Sequence, residues 1–210
     1  MIGLNKSVLL IGYSGHGLVA AEAIMLAGFE LKGYLERQVV SYNPFELEYY
    51  GFESDPEVLE KIGDFVLFPA IGNNKIRLKV YEAMIQAGRK FITAVHPKAN
   101  VTKYASIGNA TLICQGACVN PASLIGNGVI INTGAIIEHE CKIGDFTHIA
   151  PGVVLGGNVE VGEGSFIGSN AVVKQGVNIG KQVVIGAGTV VLDDVQDNQV
   201  LVGNPARLLQ

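Results

Sequence analysis

An α/β unit on a small parallel sheet (residues 1–96), followed by a parallel β-helix (residues 97–210), is the fold class this sequence predicts. Three observations predict it. From residue 101 a Val, Ile or Leu recurs at every sixth position. Before residue 97, strand-like apolar runs alternate with helix-like ones. The composition, 49% hydrophobic and 16% charged with 27 glycines in 210 residues, is that of a β-rich body with many tight turns.

The elements of the first unit follow in order. "SVLLIG" (7–12) is a buried strand. "GLVAAEAIMLAG" (17–28) is a helix ended by Gly28. "FELKGYLE" (29–36) is a second strand, "DPEVLEKIG" (55–63) a short helix and "DFVLFPAIG" (64–72) a third strand. "NKIRLKVYEAMIQAG" (74–88) is a helix and "KFITAVH" (90–96) a fourth strand. Alternation of this kind places helices on the faces of a parallel sheet, a Rossmann-like arrangement. His96-Pro97 is the join to the second unit.

At the first strand-to-helix turn stands "GYSGHG" (12–17). Glycines there allow close backbone approach, and a helix N-terminus attracts phosphate. The spacing is G-x-x-G-x-G, not the dinucleotide G-x-G-x-x-G, so a purely structural turn is the competing reading. Glu36 ends the second strand about 20 residues on, where an acid meets a ribose. "AIGNN" (70–74) ends the third strand at the same carboxyl edge. The expectation is a nucleotide-bearing ligand smaller than NAD.

The second unit reads as sixteen hexads, led by residues 101 to 191 at intervals of six. Every lead is Val, Ile or Leu, every fifth residue is Ala, Thr, Ser, Cys or Val, and eight second places are Gly. No helical period matches. Six residues make one strand and one corner of a triangular prism, so three hexads close an 18-residue coil. The lead points inward, the fifth fits the tight interior, and Gly or Asn at the second place eases the corner. Five coils and a fraction stack with no inserted loop.

The hexad "IEHECK" (137–142) interrupts this regularity with charge. His139 holds a third place and His148 a sixth, so both are expected to face outward. They lie nine residues apart, half a coil, on different faces of the prism. Gly157 is 18 residues beyond His139 and stacks in its column. A His near neutral pKa beside a carboxylate that fixes its tautomer suits proton abstraction. The competing reading makes both histidines ordinary solvated residues. Lys174, at a second place, is a solvated corner or a contact for CoA phosphates.

Composition excludes other classes. A net charge of −4 gives no global basic field, so nucleic acid is not expected as a partner. No run of about 18 apolar residues exists, so no membrane span is expected. The opening "MIGLNKSVLLIGYSGHG" lacks a basic n-region and a cleavage site, and reads as a core strand rather than a leader. Three cysteines, Cys114, Cys118 and Cys141, argue against a disulfide framework and for a reducing cytoplasm. Cys114 and Cys118 have a weak metal spacing but no neighbouring ligand, and read as packing.

With "GYSGHG", "AIGNNKIR", "IIEHECKIGDFTHIAPG" and the tail "VLVGNPA", nearly the whole chain resembles the bacterial nucleotide-sugar N-acetyltransferases. These hexapeptide-repeat enzymes acetylate a 4-amino-hexose on UDP or GDP, and sialic-acid O-acetyltransferases are close relatives. The resemblance implies a left-handed β-helix, a homotrimer with active sites between subunits, acetyl-CoA as co-substrate and no metal. It implies that His139 is the general base, steadied by Glu140, and that His148 lies near the acetyl-CoA thioester. It places the Gly157 N–H on the acetyl carbonyl, and Ser169 and Ala187 along the pantetheine groove. Ser14, Gly15 and His16 match the segment cradling the nucleotide-sugar phosphates, and Gly72 the strand on which the nucleotide rests. Glu36 and Arg37 stand where many members have Asp-Asp, so Arg37 is a departure that bears on the identity of the base.

Two other classes compete. Zinc-dependent hydration on a trimeric solenoid needs three histidines across an interface, and this solenoid has only His139 and His148. A non-catalytic sugar-nucleotide sensor explains the first unit but leaves "EHE" idle. The same His–Glu pair serves an amine or a hydroxyl acceptor; the nucleotide unit favours a nucleotide-linked amino sugar over free sialic acid.

Overall fold

The computed structural model describes residues 7–209. The reading of residues 1–6 as part of no cleavable leader lies outside the described residues. The chain divides into two compact units, residues 1–97 and 98–210.

In the first unit β1 (Ser7–Ile11), β2 (Glu30–Leu35), β3 (Glu48–Tyr49) and β4 (Val66–Pro69) form a parallel sheet in the order β3-β2-β1-β4. Helices α1 (Gly15–Leu26), α2 (Pro56–Lys61) and α3 (Asn74–Gln86) connect it. β1 is the central strand, and Val8, Leu9, Leu10 and Ile11 are all buried, as a strand covered on both faces requires. The chain leaves β1 toward β2 on one side and returns at β4 on the other, so a crevice opens at the carboxyl ends of β1 and β4. Two sequence expectations are corrected. Residues 90–96 do not make a fourth full strand: Phe91 forms a single parallel bridge to Leu67, and only Ala94–Val95 is regular further on. The two-residue β3 was not foreseen, because nothing in its short polar surroundings alternates.

The second unit is a prism of three parallel sheets whose strands are two residues long and pair 18 residues apart, as Ile130 with His148 and Ile136 with Val154. Every hexad lead from 113 to 191 and every fifth residue from 111 to 195 is buried. The polar fifth residues are satisfied by the next coil. Ser123 Oγ donates to the Glu138 carbonyl at 3.0 Å, Thr147 Oγ1 to Gly162 at 3.1 Å and Ser165 Oγ to Gly180 at 2.8 Å. A small hydroxyl therefore fills the interior without leaving an unpaired polar group.

The corner is built differently from the sequence expectation. The left-handed residue is the fourth of the hexad: all fourteen fourth places from 110 to 188 have positive φ, and seven of them are Gly. The eight second-place glycines have no positive φ. They are required by stacking instead: a Cβ on Gly162 would lie 2.5 Å from the Gly180 carbonyl carbon, one coil away.

Candidate active site

On the solenoid, Ile136–Ile137 ends one face and the chain turns through residues 138–141 before Lys142–Ile143. Glu140 is the left-handed residue of that corner at φ +63°, a conformation costing a non-glycine residue about 1 kcal/mol. The turn projects His139 outward, and its Nδ1 lies 3.0 Å from Glu140 Oε2. Both side chains are more than half exposed. With Nδ1–H donating to the carboxylate, Nε2 carries the lone pair and faces away as an acceptor for a proton.

His139 stacks over Gly157. A Cβ built on Gly157 would fall 2.5 Å from His139 Cε1 and 2.6 Å from Nε2, so only glycine leaves room for the ring. His139, Glu140 and Gly157 are thus brought together on one corner column. Ser169 and Ala187 belong to another corner column, which precedes the Val154–Leu155 face as the Gly157 corner follows it. One chain does not bring the two columns together.

His148 departs from expectation. It begins the strand His148–Ile149 and was expected to face solvent, yet it is only 8% exposed. Phe166, its partner in the next coil, meets the imidazole edge-on at 5.1 Å between ring centroids. Asn132 Nδ2 lies 3.1 Å from His148 Nε2. With the amide NH₂ donating, Nε2 accepts and the proton resides on Nδ1. Asn132 and Phe166 fix this ring, and sequence reasoning missed both. Their signal was the register, since each stands beside His148 one coil away.

Among the described residues no three His, Cys, Asp or Glu side chains form a metal-holding group. Burial raises the Cys141 thiol and pushes Cys114 up to about 12, so both are neutral packing groups, and Cys141 Sγ donates to the Gly156 carbonyl.

The first unit carries a second site at the carboxyl edge of its sheet. In "GYSGHG" each glycine has a separate cause. Gly12 has φ +90°, and a Cβ on Gly17 would lie 2.8 Å from the Gly12 carbonyl oxygen, so these two serve the turn itself. A Cβ on Gly15 would meet nothing within 4 Å. The protein has no steric use for glycine there, whereas a ligand approaching the backbone at the helix N-terminus does. Ser14 caps α1 in extended conformation and makes no side-chain capping bond.

Two clefts meet at this turn and share Ser14, Glu36 and Arg37. One, of about 730 Å³, is walled by Tyr13, Leu18, Val39, Val40 and Tyr42. The other, of about 460 Å³, runs between Phe52, Glu53, Gly72, Asn73 and Ile76. Glu36 is anchored between them: Oε1 accepts the Arg37 N–H at 3.0 Å and Oε2 the Tyr13 N–H at 3.4 Å. Its remaining lone pairs can accept ribose hydroxyls. The Arg37 guanidinium lies over the Phe52 ring at 5.3 Å. His16 does not line either cleft. Its ring tucks beneath Gly72, and burial together with Arg77 lowers its pKa to about 4, which makes it neutral.

Arg77, which had no assigned role, fixes the "AIGNN" loop. It is 1% exposed, and Nη1 donates to the Ile71 and Gly72 carbonyls at 2.8 and 3.2 Å while Nη2 reaches Asn74 Oδ1 at 2.8 Å. Asn73 caps α3 by accepting the Ile76 N–H at 3.1 Å.

Comparison with known proteins agrees with this division. The PglD N-terminal domain model matches residues 7–84. The bacterial transferase hexapeptide model matches 122–157 and 140–175, and the hexapeptide repeat of succinyl-transferase matches 158–193. The acetyltransferase domain of PglB from Neisseria gonorrhoeae, solved with acetyl coenzyme A, is 33% identical over 98% of this chain and 100% of that one, with a TM-score of 0.92. PerB from Caulobacter crescentus, solved with CoA and GDP-perosamine, is 32% identical over 100% of this chain and 99% of that one, at TM-score 0.91. A curated relative, UDP-N-acetylbacillosamine N-acetyltransferase of Bacillus subtilis, is 34% identical over 110 residues, 51% of each protein, so the match spans about half of its length.

Proposed function

The chain belongs to the family of hexapeptide-repeat nucleotide-sugar N-acetyltransferases, and we propose that it moves the acetyl group of acetyl-CoA onto the 4-amino group of a UDP- or GDP-linked amino-deoxy sugar. The observation that carries this reading is the His139–Glu140 pair standing over Gly157. Glu140 holds the proton on Nδ1, so Nε2 removes the proton from the sugar amine as its nitrogen attacks the thioester carbon. The carbonyl oxygen becomes an oxyanion and accepts a hydrogen bond from the Gly157 N–H. Collapse of the tetrahedral intermediate breaks the C–S bond. The departing CoA thiolate takes the proton from His139, leaving the N-acetyl sugar and restoring the base.

The nucleotide lies in the clefts of the first unit, with phosphates at Ser14 and Gly15 and the ribose on Glu36. His16 supports the turn beneath Gly72. His148, held by Asn132 and Phe166, faces the thioester end of the pantetheine arm. Ser169 and Ala187 sit on a different corner column from His139, which supports a homotrimer in which one chain's pantetheine groove meets the base of its neighbour. Both substrates are metabolites of the cytoplasm, which fits the free cysteines. Among the described residues no helix is long and apolar enough to cross a membrane.

The test is a panel of UDP- and GDP-linked 4-amino-6-deoxy sugars, scored for acetylated product and for thiol release from acetyl-CoA. At least one member should be N-acetylated with one thiol released per product. Acetyl-CoA turnover with free sialic acid and none with the panel would replace this reading by O-acetylation.

A further inference from the structure

We propose that the cleft between β1 and β4 is a guanine pocket, so that the donor-side nucleotide of this chain is a guanosine diphosphate sugar, selected by Glu53 with Arg37. The inference rests on the nucleotide-sugar reading above and adds the identity of the base.

The position follows from the sheet. When phosphates sit at the N-terminus of α1 and the ribose on Glu36, the base is directed into the crevice where strand order reverses, between the loops that follow β2 and β4. The cleft of about 460 Å³ lies there, lined by Gly12, Ser14 and Glu36 at one end and by Phe52, Glu53 and Asn73 at the other. Ile71 and Ile76 supply apolar walls for the faces of a ring.

The chemistry follows from what lines it. Unpaired bases are recognised by aromatic or guanidinium planes and by hydrogen bonds on the Watson–Crick edge. Guanine presents there one acceptor, O6, beside two adjacent donors, N1–H and N2–H₂. A carboxylate accepts both donors at once, and a guanidinium donates to O6 or N7. Glu53 and Arg37 are such a pair on one cleft. Phe52 carries the Arg37 guanidinium at 5.3 Å and holds it at the cleft. Uracil presents a single donor, N3–H, between two acceptors, so the second carboxylate oxygen would face O2 with no proton between them. Glu36 cannot take this role, because both its oxygens are engaged with backbone N–H groups near the ribose end.

The environment of Glu53 agrees. Burial, the largest cause, holds its carboxyl above the ordinary range, and Glu36 adds to this while Arg37 opposes it. A desolvated carboxylate gains most from a ligand that brings two donors.

The experiment is calorimetric titration of the intact protein with GDP, IDP and UDP, repeated with Glu53→Gln. IDP lacks only the 2-amino group. Binding of GDP at least roughly tenfold tighter than of IDP and UDP, with the GDP preference collapsing in Glu53→Gln, would support the pocket. UDP binding as tightly as GDP would overturn it and leave the nucleotide-sugar reading standing. A GDP preference unchanged in Glu53→Gln would overturn the role of Glu53. Binding of acetyl-CoA but of none of the three nucleotides would overturn both this inference and the function on which it rests. Retained acetyl-CoA binding by Glu53→Gln reports that the variant is folded.

Discussion

His139 stands where it does because Glu140 accepts a left-handed backbone at φ +63°. That conformation turns the carboxylate back to within 3.0 Å of Nδ1. If His139 is the base, His139→Ala should lose turnover by roughly 10²–10⁴-fold while both substrates still bind, because the group acts in the transition state. Glu140→Ala should cost less, since the ring keeps its place over Gly157. Turnover at saturating substrates, after a check that the fold is intact, decides this, and a loss under about fivefold would remove His139 from the role. Gly15 offers a separate residue-scale check. A methyl there meets nothing in the protein within 4 Å. Gly15→Ala should therefore leave the melting temperature nearly unchanged yet weaken nucleotide-sugar affinity, as measured by titration. Equal affinity would mean that the glycine is not reserved for a ligand.

At the scale of elements, two devices set stability. Solenoid coils approach through second-place glycines, so Gly162→Ala puts a methyl 2.5 Å from the Gly180 carbonyl carbon and pushes two coils apart. The expected loss is about 1–3 kcal/mol in denaturant unfolding, the cost of overpacking. In the first unit, His16 lies at the start of α1 with its pKa lowered to about 4 by burial and by Arg77. Below its ordinary value near ~6.5 the unfolded chain takes up a proton that the native ring refuses. Stability is therefore complete above that value and falls as pH drops toward 4, by on the order of 2–3 kcal/mol. A His16→Gln variant should lose this part of the slope in melting curves recorded from pH 7 to 4. An unchanged slope would show that other groups carry it.

The whole molecule divides its chemistry between two units, residues 1–97 and 98–210. The first offers clefts at the carboxyl edge of a sheet, and the second a His–Glu corner with another corner column bearing Ser169 and Ala187. Since one chain keeps those columns apart, the proposed site is complete only when solenoids associate. Light scattering at micromolar concentration should give three times the 22.2 kDa chain mass for the active protein. An active monomer would sink the shared-site arrangement and require the acetyl donor to reach His139 along its own chain.

Sequence by itself determined the solenoid, because a prism interior admits only branched leads and small fifth residues, and that restriction repeats every six positions. It also determined the alternation of the first unit and drew attention to His139, the one His in the charged interruption of the repeat. The tertiary structure decided what periodicity cannot carry. Which hexad place is left-handed depends on backbone geometry, and the stacking role of second-place glycines depends on a neighbour 18 residues away. His148 reads as outward from its place in the hexad, yet Phe166 and Asn132 cover it, each from an adjacent coil. Glu53, Phe52 and Arg77 carry no spacing signal, since each acts on a loop distant in sequence. His16 sits in the most suggestive motif of the chain, but its ring lies beneath Gly72 because the turn at Gly12 aims it inward. Burial and partnership arise from residues that meet only when the chain folds, so a linear pattern names the elements and the packing assigns their work.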